Sequence, residues 1–191
     1  MQKNGCDGYA EFKAQLKIYL KEEKVQNNVK HNDDGIDEIM RFFHMVTSSE
    51  YELLLQKTAE AIAVAKQLIF IGIGTSGILG KYGARYFSNL GKFSQYIEDP
   101  YYPIGHDMES ALVIALSESG ETEQVIKQAE RFRQHNCKLL SITNKEACTL
   151  AKISDLHLTY YISRRLVQNE YNITTQVPVI YLLETLGRRI Y

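Results

Sequence analysis

The chain has 191 residues, ample for one α/β domain with a short extension and marginal for two full domains. An apolar share of 45% and a charged share of 24% exclude a disordered chain, and a net charge of −1 excludes a protein that coats nucleic acid with its whole surface. Cys6, Cys137 and Cys148 lack CxxC spacing and are odd in number, so they read as reduced thiols without a structural zinc site. No apolar run reaches the roughly 18 to 20 residues of a membrane span. No apolar signal core follows Met1-Gln2-Lys3-Asn4-Gly5, and Asn172-Ile173-Thr174 therefore reads as a chance glycosylation pattern. The expected compartment is the cytoplasm.

In chain order, Tyr9, Phe12, Leu16, Tyr19 and Leu20 fall on one face of a predicted helix over 9–24. A polar linker follows from Lys24 to Gly35, and Ile36 to Val46 is again helical. Ser49 with Glu52 makes a capping-box signature for a helix to about Lys66, with Leu53, Leu55, Ala59, Ile62 and Ala63 on the face toward a sheet. From Leu68 the pattern alternates. Strands are predicted at 68–72, 94–98, 111–116, 138–142 and 156–160, and helices at 77–90, 121–135, 145–152 and 175–189. Short continuous apolar strands separated by helices imply a parallel sheet covered on both faces. The fold class is α/β, a three-layer α-β-α sandwich on five parallel strands, flavodoxin-like or Rossmann-like. In such sheets the ligand lies outside the carboxyl ends of the strands.

Two loops stand at those ends. Gly72-Ile73-Gly74-Thr75-Ser76-Gly77 follows Leu68-Ile69-Phe70-Ile71, and Ser117-Glu118-Ser119-Gly120-Glu121-Thr122 follows Ala111 to Leu116. A helix N-terminus presents unpaired N–H groups and a partial positive charge, and nearby hydroxyls donate to phosphate oxygens without adding charge. The first loop also fits the dinucleotide pattern GxGxxG, with Glu98 21 residues after Gly77 as a ribose ligand. That reading leaves the second loop unexplained and little chain for a substrate domain. No GxxxxGK[ST] is present. Turn chemistry alone accounts for one such loop more easily than for two.

At these residues the chain resembles the sugar isomerase (SIS) domain family of phosphosugar-binding proteins. The matching strings are Gly-Ile-Gly-Thr-Ser-Gly at 72–77 and Ala-Leu-Ser-Glu-Ser-Gly-Glu-Thr at 115–122, and the resemblance covers about 36–190. It implies that Ser117, Ser119 and Thr122 hold the phosphate, with the Gly120 backbone close and Glu121 at the helix start. Gly74, Thr75 and Ser76 would complete the site near the sugar. Residues 4–13, Asn-Gly-Cys-Asp-Gly-Tyr-Ala-Glu-Phe-Lys, resemble the tail of the helix-turn-helix domain of RpiR-type transcriptional regulators. The expected division is thus a remnant of that domain with its linker at 1–30 and a SIS domain at 31–191. Most of the DNA-binding unit would be missing, so DNA would be reached only through that missing domain.

Some SIS domains are aldose–ketose isomerases, whose proton transfer needs a base beside the sugar. The candidates are Glu170, before the last helix, and His106, in Ile104-Gly105-His106-Asp107. Arg164 and Arg165 are within reach of an anionic ligand, though exposed arginines are commoner. The leading expectation is a phosphosugar sensor without metal or cofactor, and the alternative is a cytosolic sugar-phosphate isomerase. The family further implies a homodimer or higher oligomer, and the lack of a membrane-length apolar run implies no membrane partner. Val177, Ile180, Tyr181, Leu183, Leu186 and Ile190 read as core or a subunit interface, and the pairs Tyr101-Tyr102 and Tyr160-Tyr161 as strand-edge aromatics.

Overall fold

Alternation inside the apolar runs builds the sheet. In β1 (Leu68–Ile71), Leu68 and Phe70 join one core while Ile69 and Ile71 join the other, because successive strand side chains point to opposite faces. β3 (Leu112–Leu116) divides the same way, with Leu112, Ile114 and Leu116 on the first face and Val113 and Ala115 on the second. All residues of both strands are buried, as a sheet covered on both sides requires. The computed structural model of the protein describes residues 35–105 and 108–191. The expected helix over 9–24, the linker to residue 34, the segment similar to a helix-turn-helix tail and His106 lie outside the described residues.

The elements run α1 (Ile36–Val46), α2 (Ser49–Val64), β1, α3 (Thr75–Asn89), β2 (Ser94–Tyr96), β3, α4 (Glu123–Gln134), β4 (Lys138–Thr143), α5 (Thr149–Ile153), β5 (Leu156–Thr159), β6 (Leu166–Val167), β7 (Tyr171–Asn172) and α6 (Val177–Ile190). β1 to β5 form one sheet in the order β2-β1-β3-β4-β5, every pair parallel. Leu68 stands opposite Leu112 and Phe70 opposite Ile114. α2, α3 and α6 cover the first face and α4 and α5 the second. Asp37 to Tyr191 form one compact unit. The five expected strands are all present, and their ends agree within two residues.

α3 lies close to β1 and β2. Added Cβ atoms at Gly80 and Gly83 would meet the Tyr96 ring at 2.9 Å and the Phe70 ring at 2.6 Å. The strand order reverses at β1, so the loops leaving β1 and β3 open onto a crevice between them.

Four local expectations need correction. The cap of α2 is Ser48, whose hydroxyl accepts from the Tyr51 N–H, and no capping box forms at Ser49. Glu52 instead holds Arg189 of α6 in a two-point pair at 2.7 Å. Leu53 is 64% exposed and Ala63 is also exposed. The sheet-facing side of α2 is Tyr51, Leu55, Thr58, Ala59 and Ile62. The helix expected at 145–152 begins only at Thr149, because its first N–H donates to the Glu121 carboxylate at 2.8 Å, a cap supplied by another segment. Finally, the antiparallel hairpin β6–β7 was not anticipated; Gln168 and Asn169 turn it with φ of 55° each.

Candidate ligand-binding site

At the crevice the chain exposes two helix starts without side-chain caps, those of α3 and α4. By contrast, Ser48 closes the start of α2. First-turn N–H groups left open in this way carry the positive end of the helix dipole. A cavity of about 490 Å³ lies there, lined by Thr75 and Ser76 of α3, Ser119 and Thr122 of the second loop, and Lys145 and Arg164. Ile73, Glu118, Asn144, Asn172 and Gln176 complete its wall.

The second loop is bonded to itself. Ser117, only 4% exposed, accepts from the Gly120 N–H at 3.2 Å and shares a 3.1 Å hydrogen bond with the Thr122 hydroxyl. When Ser117 is the donor, the Thr122 proton is left for a ligand. Ser119 accepts from the Glu121 N–H at 3.1 Å and keeps its own proton to donate outward. Gly120 has φ of 66°, and a Cβ there would sit 2.2 Å from the Cys148 sulfur. Only glycine satisfies both conditions.

The floor beneath this loop is fixed as well. Thr143 gives its single proton to the Lys145 carbonyl at 2.5 Å, so the 2.8 Å bond to His157 requires the proton on His157 Nε2. Burial lowers the His157 pKa, favouring that neutral ring. Asn144 is held at both ends by Ile162, through Nδ2 to its carbonyl and Oδ1 from its N–H, each at 2.5 Å.

The predicted residues divide into three groups. Thr75, Ser76, Ser119 and Thr122 meet at the cavity, with Gly74 (φ 61°) as the N-cap of α3. Ser117 and Gly120 are buried below and brace the loop. Glu121 turns away to Thr149, whose side chain and N–H hold its carboxyl below the usual carboxylate range. Glu170 stands exposed beside the hairpin turn and does not line the cavity. Glu98 pairs with Lys81 at 3.1 Å and does not line it either. Arg164 does line it. Glu118, Lys145, Asn144, Asn172 and Gln176 were missed; the first sits inside the hydroxyl string itself, while the others come from segments without a motif. Among the described residues no cluster of three His, Cys, Asp or Glu could hold a metal ion, and no helix is long and apolar enough to cross a membrane.

The switch point of this parallel α/β sheet carries two open helix starts and a braced hydroxyl loop around one cavity. Residues 61–185 match the SIS domain family, and the chain belongs to it. An uncharacterized HTH-type transcriptional regulator of Clostridium perfringens is 27% identical over 201 residues, covering 97% of this chain and 71% of that relative. The structure of the Vibrio vulnificus NanR protein complexed with ManNAc-6P superposes with a TM-score of 0.66 at 21% identity, over 97% of this chain and 69% of NanR. The sugar isomerase domain of an RpiR transcription factor from Sphaerobacter thermophilus gives 0.65 at 16% identity, over 81% of this chain and 84% of that one.

Proposed function

We propose that the cavity binds a sugar phosphate and that this SIS domain is the effector-sensing part of an RpiR-type transcriptional regulator. One observation carries the reading: the Ser119 hydroxyl, whose proton is free, and the Thr122 hydroxyl line one cavity beside the open N-terminus of α4, together with Thr75 and Ser76 at the open N-terminus of α3. That set suits a phosphate dianion, with Lys145 and Arg164 supplying full charges. The regulators among its relatives and the ManNAc-6P bound by NanR support the same assignment. In this reading residues 31–191 are the sensor, DNA contact belongs to a helix-turn-helix module, and the protein works in the cytoplasm as a homodimer or higher oligomer.

Thermal melting with a panel of sugar phosphates tests it, since a ligand held at 100 times its Kd stabilises the folded state by about 2.7 kcal/mol. Ser119→Ala with Thr122→Ala should remove that stabilisation. Unchanged binding by the double variant would refute the phosphate grip. Conversion of the bound sugar phosphate to its aldose or ketose partner would overturn the sensor in favour of an isomerase.

A further inference from the structure

Glu118 is the single acid among the residues lining the cavity, and it sits between two of the loop's hydroxyl residues. A carboxylate beside a phosphate site repels the ligand it helps to enclose, so its presence calls for a reason. Its side chain is 15% exposed, which removes most of the water that would screen it. Asn172 of β7 donates to Oε2 at 2.6 Å, and Arg164 Nε lies 3.8 Å from Oε1, beyond hydrogen-bond length. An ionised carboxylate has about four acceptor positions, and only one is filled by a hydrogen bond among the described residues. Asn172 is itself committed, because its Oδ1 accepts from the Thr174 N–H at 2.9 Å. Glu118 is therefore a carboxylate held at the cavity wall by Asn172, with acceptor positions beyond that one bond.

The charge balance gives it a task. Lys145, Arg164 and Glu118 together leave one net positive charge at the cavity, against about two negative charges on a phosphate monoester. A ligand with a second anionic group overloads this balance, whereas one with an ammonium group completes it. We infer that Glu118 selects the sugar body: it accepts hydrogen bonds from hydroxyl or ammonium groups and excludes ligands bearing a carboxylate or a second phosphate. The inference rests on the phosphosugar reading above and names the ligand class for that same site, uncharged or amino-sugar monophosphates.

Calorimetric titration of the whole chain and of Glu118→Gln tests it with four probes: glucosamine phosphate, glucose phosphate and gluconate phosphate, each phosphorylated at the primary hydroxyl, and fructose bisphosphate. The wild type should bind the first two at least about tenfold more tightly than the last two, the effect of roughly one unit charge in a partly shielded site. Glu118→Gln should weaken glucosamine phosphate and strengthen gluconate phosphate and fructose bisphosphate, each by about tenfold. The same ranking and ratios in both proteins would overturn the selector role while leaving the phosphate site standing. Failure of the wild type to bind all four would overturn the phosphosugar reading and this inference with it. If Glu118→Gln does not fold, the wild type supplies the test: binding gluconate phosphate or fructose bisphosphate as tightly as glucosamine phosphate overturns the proposal.

Discussion

The loops after β1 and β3 occupy matching places on the sheet, each joining a buried parallel strand to an uncapped helix. Their construction differs. Among the described residues the side chains of the loop at 72–76 make no hydrogen bonds, and the loop works by leaving space; Tyr96 reaches under it to donate to the Gly72 carbonyl at 2.8 Å, where a Cβ on Gly77 would stand 2.6 Å from that hydroxyl. The loop at 117–122 is tied by Ser117 to Gly120 and Thr122, and by Ser119 to the Glu121 N–H. One loop makes room, and the other is a socket braced by its own hydrogen bonds. Binding to such a socket costs little ordering entropy.

Gly120 is the most exacting position of the second loop. Gly120→Ala places a methyl against the Cys148 sulfur and forces a non-glycine residue to positive φ, so a loss of about 3 kcal/mol or more is expected, read as a lower melting temperature. Adding Cys148→Ala should return part of the loss, leaving the backbone strain; a wild-type melting temperature for Gly120→Ala would show that the socket is not rigid. Gly77→Ala should cost less, about 1 to 3 kcal/mol, because the Tyr96 ring can move. Tyr96→Phe should rescue it in part, and an additive double mutant would deny the contact. Ser117→Ala should cost only about 1 kcal/mol in denaturant titrations, since the Gly120 N–H also has the Ser117 carbonyl at 3.2 Å. The same variant should weaken sugar phosphates more than its stability loss implies, because the Thr122 hydroxyl loses its guide.

The smallest effect concerns pH. The His157 pKa in the folded protein lies below its ordinary 6.5, so the unfolded chain binds the proton more readily. Stability from this group is complete above pH 6.5 and falls as the pH drops toward the lowered folded value. His157→Gln should flatten that slope in melts across the acidic range, and an unchanged slope would remove His157 from under the socket.

The strands and both loops were legible because their signals are local: apolar runs of strand length, then glycine or hydroxyl residues at the turn. What escaped depends on pairs distant in sequence. The start of α5 is fixed by Glu121, the rear wall by Asn144 bonding Ile162, and the hairpin by Asn172 bonding Glu118. Glu52 pairs with Arg189, 137 residues away in sequence, and the α2 cap is Ser48. Leu53 looked like core because residues 53 to 55 are all leucine, and only packing chose Leu55 for the interior.

The fit of Gly120 over Cys148 has a practical consequence. The thiol is 2% exposed and lies directly beneath the socket, so an alkylating reagent reaches it only when the loop lifts. If the proposed site is right, a sugar phosphate should slow the labelling of the peptide carrying Cys148, and an unchanged rate would place the ligand away from this loop.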